Sequence, residues 1–567
     1  MKKTLRYIIF ACSTFFVFTS CTDFFETDSD AVLKTDGQCY EDESTARAGL
    51  FGLLQCLQTI GDNYVIMGEL RGDLMDVTAN SSQELRDIAS FQVDKDNSYL
   101  KERSYYSLIN NCNYYINRLD TTITRKQSES GYLVKILRPY MAQAKTLRAW
   151  SYLQLCLDYG RVKYTDQPFL DVSYPVEMKT LDIDGLLPLL IKDLEQVLPW
   201  VTADEVTSGW SQGDADPGFS NSVSYDAYAA NQLMFPVRFV LGELYMWSQD
   251  FQKAAQTYYD LILSDHLVVS GSYVNSYNES SLLVSSRNWS KQFSNFNYSD
   301  ILTVIPFTDE YTSGSSALSQ MFGDSYVLSP SSVLVNLYDS QTYTINTKVV
   351  MGDLRGAYGT YYSSLEGEGS NEVNRIYVDK YNYMKANDNA FVILCRTPLV
   401  YLRYAEAINR LGKPKTAFYG LLKYGLNSET FRMYESLFKN EMTGEPYLDF
   451  GLTASTQDIF SSNSGLHARG CGLQNLQLDP TYVIEESESA ADTLLYVEDC
   501  LMAEYALETA LEGNRFHDLM RIARYRNDPT YLAEKVSDKF PAGEREAIYQ
   551  KLLDRQNWYL PSNVKWE

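Results

Sequence analysis

Histidine is nearly missing from this chain: there are three in 567 residues, His266, His467 and His517, far apart in sequence. That scarcity argues against a histidine-ligated metal centre. Cysteine excludes as much by its arrangement. Of nine, Cys12 and Cys21 lie near the N-terminus, and the other seven (39, 56, 112, 156, 395, 471, 500) are scattered, odd in number and without a CxxC pair. Neither a disulfide framework nor a structural zinc site follows from that spacing. Most of these thiols read as small buried apolar side chains. Also missing are a nucleophile elbow, an HExxH helix, a Walker loop and a Rossmann fingerprint. Acid pairs of the kind a glycosidase uses occur throughout a chain with 73 Asp and Glu, so none singles out an active site. Asp182, Asp184, Asp214 and Asp216 lack the alternating ligands and distal Glu of a helix–loop calcium site. No cofactor, metal or catalytic residue is expected.

Cations are outnumbered 49 to 73, for a formal net charge of −24. Such a balance opposes nucleic acid, whose affinity comes from cations neutralising phosphates. Long apolar runs are confined to the start, where Lys2, Lys3 and Arg6 precede the apolar Tyr7–Phe18. That run is shorter than the roughly 20 residues a spanning helix needs. It ends at Phe18-Thr19-Ser20-Cys21, which resembles a bacterial lipobox, with Cys21 as the lipidated first residue of the mature chain. Residues 1–20 are therefore read as a signal peptide and 21–567 as one mature domain, held to a membrane by lipid alone.

What is abundant is tyrosine, with 45 copies. Its apolar face and polar tip suit sugar or peptide recognition as well as helix packing. Apolar spacing is mostly 3.6-periodic. Stripes run over 41–60 and 100–119, and 133–158 is a long helix stopped near Tyr159-Gly160. Asp184 is read as the N-cap of a helix reaching about Leu198, with Pro188 in its first turn. Residues 233–263 and 398–424 look like tetratricopeptide-type helical pairs, with small residues at Gly242 and Ala254 and at Ala405 and Ala417. A less regular pair occupies 499–526, broken at Gly513. Such pairs bury their faces by stacking on neighbours, so they read as scaffold. The fold expected is mainly α, a helical-pair scaffold with a few short strands and long irregular insertions at 61–99, 201–232, 265–397 and 427–498. Binding surfaces favour such insertions. The short pieces from Ile301 and from Phe391 are β-like.

Arg396, Glu406, Arg410, Glu508, Arg515, Asp518 and Arg521 are charges in helical, partly apolar sequence, and are expected to pair across helices. The aromatic cluster Trp289, Phe293, Phe296 and Tyr298, in a Ser/Asn-rich loop, is a candidate ligand contact. A sugar's CH face can stack on a ring while amides bond its hydroxyls. Trp210, in a Gly/Ser/Asp-rich tract, is a further candidate.

The chain resembles the SusD/RagB family of surface lipoproteins. The resemblance rests on Thr22-Asp23-Phe24-Phe25 after the lipobox, on Lys145, Arg148-Ala149 and Tyr152 before Tyr159-Gly160, and on the 233–263 pair. It continues through Tyr326–Ser332, Gly352-Asp353-Leu354-Arg355, Arg396, Pro398 and Tyr404–Arg410. Glu504, Glu508 and Glu512–Arg521 close it. A proline expected after Tyr159-Gly160 is absent, and 427–498 has no recognisable family counterpart. The resemblance implies a non-enzymatic, lipid-anchored protein on the outer face of the outer membrane. Such a protein captures oligosaccharides, or alternatively peptides, and delivers them to a SusC-like TonB-dependent transporter. A surface hydrolase is the remaining reading. The resemblance also marks the first irregular tract, with Tyr64, Arg71, Asp73, Asp76 and Asn80, as a binding region.

Overall fold

A computed structural model describes residues 40–126, 133–169, 177–200, 224–225, 228–270, 276–278, 283–286, 288–293, 300–307, 316–345, 347–367, 372–381, 390–426, 433–450, 460, 463–471, 482–485 and 489–564. Cys21, Trp210, Phe296 and Tyr298 lie outside these residues.

Helix α1 (Glu43–Leu70) starts at a capping box, where the Asp42 carboxylate accepts from Thr45 N at 2.8 Å. Its stripe Ala46, Leu50, Leu53 and Leu57 enters the core. The helix runs ten residues past the expected stop at 60. Gly61 is tolerated because Phe307 packs where a side chain would stand, with 2.9 Å left for a Cβ. Tyr64 is therefore helical rather than part of an irregular tract. Helices α2 (Glu102–Arg118) and α3 (Arg138–Tyr159) follow and pack on each other. Helix α4 (Ile183–Val197) is capped two residues before the expected position: the Asp182 carboxylate accepts from Gly185 N at 3.1 Å. Asp184 sits in the first turn, and Pro188 falls inside the helix.

The expected pairs are present as α5 (Val237–Trp247) with α6 (Phe251–Ser264), and as α7 (Thr397–Arg410) with a π-helical segment, Thr416–Lys423. Gly242 lets α5 and α6 approach until the Tyr258 ring is 2.5 Å from where a Cβ would be. Helix α7 packs on α6 and on α8 (Ala490–Glu508), joining the pairs into one layer. The 427–498 tract is in part regular: Ser489 caps α8 by accepting from Asp492 N. Helices α9 (Arg515–Arg526), α10 (Pro529–Ser537) and α11 (Ala542–Leu552) complete the scaffold. One core of buried side chains extends from Ala46 to Leu560. Each fully buried Leu or Ile in it contributes about 1.5–3 kcal/mol.

The two β-like pieces pair with each other. Strand Ile301–Phe307 runs antiparallel to Ala390–Arg396. Arg396 thereby stands at the start of α7, over a buried ion network. Glu508 accepts from Arg355 at 2.6 Å, from Arg396 at 2.5 Å and from Arg469. Arg355 also pairs with Asp353 and Glu504, Arg396 with Glu512, Arg469 with Asp300, and Lys380 with Glu512. Burial alone would favour the neutral acid, but three guanidinium groups hold Glu508 far below the usual carboxylate range. A second network joins Arg521 to Glu406 and Asp518, and Arg403 to Glu243 and Asp518. Arg410 pairs with Glu498, and Arg515 with Asp73. All seven charges are paired as expected, although Arg396 reaches Glu508 from the end of a strand and Arg515 meets Asp73 beyond the end of α1.

The turn at Gly513 closes the scaffold. Glu69, at the end of α1, accepts backbone N–H bonds from Leu511, Gly513, Asn514 and Arg515 at 2.7–3.4 Å. Its carboxylate thus caps α9 from another helix, where the N-terminal dipole favours an anion. Burial nonetheless pushes its pKa up to about 7.

Candidate functional site

Several candidates from the sequence prove to be core. Trp289 is 0% exposed. Its Nε1 donates to Thr360 Oγ1 at 3.2 Å, and Gly359 lies against the ring. Arg396, Lys380 and Arg469 carry their charges 5.5, 5.7 and 5.9 Å from the ring centre. The indole covers the ion network, using its negative π face to meet buried cations. No face is left for a sugar, so Trp289 is not a ligand contact in this fold. Phe293, edge-on to Trp289, is equally buried.

Tyr64, Arg71 and Asp73 are corrected in the same way. Tyr64 donates to Asn514 Oδ1 at 2.9 Å. Arg71 is 1% exposed. It donates to Met67 O and Trp558 O and pairs with Asp158, as does His517. Asp73 accepts from Arg515 Nε and Nη2 at 2.6 and 2.8 Å. Except for Met67, their partners lie 87 to 487 residues away, so a local reading of the tract could not show them as satisfied. Asp76 is partly buried near Lys539 and accepts from its own chain at Val77 N. Asn80 is exposed.

Asn80 leads to the surface that does have the required chemistry. Strand β1 (Met75–Val77) pairs antiparallel with β2 (Leu328–Pro330), Asp76 opposite Ser329. Beyond this pair, Thr78 Oγ1 donates to Tyr326 O at 2.5 Å and Asn80 Nδ2 donates to Ser325 O at 3.0 Å. These bonds hold Tyr326 at φ 43°, a left-handed conformation rare for an aromatic residue. Strain of this kind persists only where surrounding structure enforces it, and it concentrates at binding sites.

Strands β3 (Tyr361–Glu366) and β4 (Val373–Val378) form a hairpin against β2. Register places Tyr362 opposite Tyr377 and Ser364 opposite Arg375. The period of two therefore gathers Tyr362, Ser364, Glu366, Arg375 and Tyr377 on one face. Tyr362 and Tyr377 stack at 5.2 Å with planes 12° apart, and Tyr377 meets Tyr326 at 4.7 Å. Arg375 lies 5.1 Å from the Tyr326 ring centre and pairs with Glu366 at 2.6 Å. Tyr377 OH also donates to Glu366. Burial and the Glu366 carboxylate raise the Tyr377 hydroxyl above its ordinary pKa, so it stays a donor. The opposite face of β3 is anchored by Tyr361 OH, which donates to Asp339 Oδ1 at 2.9 Å.

The result is a ladder of three tyrosines edged by a guanidinium, a carboxylate and the Asn80 amide. Tyr377 is its buried middle rung, while the half-buried Tyr326 and Tyr362 offer ring faces for CH groups beside donors and acceptors for hydroxyls. The sequence reading missed Tyr326, Tyr362, Arg375 and Tyr377. Their signal was the alternation in Tyr362-Ser-Ser-Leu-Glu366 and Arg375-Ile-Tyr377 around a Gly-rich turn. Among the described residues no group of three His, Cys, Asp or Glu is placed to hold a metal ion. Six described cysteines are free thiols. Among the described residues no helix is long and apolar enough to cross a membrane.

No family model and no curated protein matches the sequence. Solved structures do match the fold. A SusD superfamily protein from Bacteroides thetaiotaomicron aligns over 92% of this chain and 96% of its own, at 15% identity and TM-score 0.55. A SusD-like carbohydrate-binding protein from Bacteroides fragilis aligns over 86% and 88%, at 16% identity and TM-score 0.51. A laminarin-binding SusD-like protein aligns over 92% and 99%, at 15% identity and TM-score 0.50. Over nearly its whole length, then, this chain has the mainly helical SusD-like fold.

Proposed function

We propose that this protein captures glycans at the cell surface, as a lipoprotein anchored through Cys21, and passes them to a SusC-like TonB-dependent transporter in the outer membrane. The tyrosine ladder carries the reading. Tyr326 and Tyr362, half-buried and each packed on the buried Tyr377, would meet the CH faces of sugar rings, while Arg375, Glu366 and Asn80 bond hydroxyls. The function is binding and release rather than bond cleavage. The neighbours of known ligand share the fold and are carbohydrate binders, which supports the ligand class. In this reading the helical pairs are a rigid platform, and residues 21–567 act as one domain.

Affinity electrophoresis of the mature chain lacking Cys21, in gels containing single polysaccharides, tests this. Retardation by one glycan is expected, and Tyr362→Ala should weaken it about tenfold, the effect of some 1.4 kcal/mol of stacking. Retardation unchanged by both Tyr362→Ala and Arg375→Ala would move the site elsewhere. Binding of peptides and of no glycan would replace the ligand class.

A further inference from the structure

A groove of about 800 Å³ opens between the end of α3, the start of α4, α9 and the C-terminal segment. Tyr159 and Tyr559 stand in its walls, with Phe91 beside them, and Arg161, Arg524 and Arg555 line it. Gly160, at φ 77°, makes the turn possible, because Tyr559 would lie 2.9 Å from any Cβ there. Phe91 is held at φ 58°, a left-handed conformation uncommon for such a ring. Arg71, already neutralised by Asp158, forms part of the floor.

The charges are not balanced in the ordinary way. Arg161 is exposed and has no ion-pair partner among the described residues. Arg555 donates to the neutral Asn527 Oδ1 at 2.7 Å and lies 5.7 Å from the Trp558 ring centre. Arg524 pairs with Asp184, which is itself exposed. Asp182 is occupied in capping α4. With Arg71 set aside, three guanidinium groups (Arg161, Arg524 and Arg555) thus line the groove against two carboxylates (Asp182 and Asp184), a local excess of positive charge in a chain of net charge −24. Planar, bidentate donors of this kind suit a carboxylate. The tyrosine walls and the exposed Gln556 add a surface for a sugar ring and its hydroxyls. The volume lies within the range of small-ligand sites.

We propose that this groove is a second ligand site, separate from the tyrosine ladder, that takes a carboxylate-bearing saccharide such as a glucuronic acid unit. Arg161 and Arg555 would engage the carboxylate, and Tyr159 and Tyr559 the ring.

Isothermal titration of the mature chain with methyl glucuronide and with methyl glucoside tests the proposal. The glucuronide should bind at least about tenfold more tightly, as expected for a charge-assisted pair. Arg161→Gln, a change at an exposed side chain, should remove about tenfold of that affinity, and Arg555→Gln a similar factor. Tyr362→Ala should leave glucuronide binding intact whether or not the ladder binds glycans. Equal binding of the two glycosides, or no effect of either arginine change, would overturn the proposal. So would loss of glucuronide binding in Tyr362→Ala. Displacement of the glucuronide by equimolar acetate or inorganic phosphate would show a plain anion site and sink the saccharide assignment.

Discussion

Replacing Glu508 tests whether charge or shape holds the centre of the fold together. The side chain is 0% exposed and accepts from Arg355, Arg396 and Arg469. Glu508→Ala removes one negative charge and three charge-assisted bonds. None of the three guanidinium groups becomes wholly unpaired: Arg355 keeps Asp353 and Glu504, Arg396 keeps Glu512, and Arg469 keeps Asp300. The cost is therefore less than three independent losses of about 1.5–3 kcal/mol each. It should sit near the roughly 3–5 kcal/mol seen when one partner of a buried pair is deleted. That is a large share of a domain's total stability, about 5–15 kcal/mol. Two further variants separate the causes. Glu508→Gln keeps volume and loses charge, whereas Glu508→Asp keeps charge and loses a methylene. If charge dominates, Asp costs about 1–2 kcal/mol and Gln nearly as much as Ala. Urea unfolding read by far-ultraviolet circular dichroism gives the ranking, and indole fluorescence adds a local report because Trp289 lies on the network. A Gln variant within about 1 kcal/mol of the parent, beside an Asp variant as weak as Ala, would refute the electrostatic reasoning.

Acid should weaken the second network. Against the effect of burial, the Arg521 charge and its hydrogen bonds hold Glu406 at a pKa of about 2, compared with 4.5 when free. The unfolded chain binds that proton more readily, so the stabilisation is present above pH 4.5 and is lost as pH falls toward 2. It amounts to about 3 kcal/mol. Stability curves measured from pH 6 to 2 should be flatter in this window for Glu406→Gln, and identical slopes would sink the argument. At the α1–α9 crossing, Gly68→Ala would place a Cβ 1.8 Å from the Gly513 carbonyl oxygen, which is backbone and cannot swing aside. A loss of more than about 3 kcal/mol, or failure to accumulate folded protein, is expected. A melting temperature within a few degrees of the parent would show that the crossing is looser than described.

How much of this was legible depends on the range of the interaction concerned. The helical pairs could be read because α5, α6 and α7 carry a 3.6-residue period and small residues at their contacts, both local properties. Boundaries slipped where a distant partner decided them, as with Gly61, which continues α1 because Phe307 fills the space beside it. Charges in helices announced that they must be paired, and the pairing followed. Arg71 and Asp73, set between Leu70 and Leu74, obey the same rule, but only the fold supplies their partners Asp158 and Arg515.

Trp289 shows the other limit. A Ser/Asn-rich flank made it read as exposed, yet three cations surround it in the core. An aromatic ring beside polar residues can be facing solvent or shielding buried charge, and composition alone does not separate the two. The tyrosine ladder failed to register for the opposite reason. Tyr326, Tyr362 and Tyr377 are unremarkable singly, and they become a surface only when strand register and the bonds from Thr78 and Asn80 bring them together. Two residues of the first irregular tract, Thr78 and Asn80, thus bond the carbonyls of Tyr326 and Ser325, where Tyr326 holds its left-handed conformation, and under the proposed function they would serve recognition indirectly. If that is the tract's contribution, Thr78→Val should weaken glycan retardation while leaving Tyr362 and Tyr377 stacked.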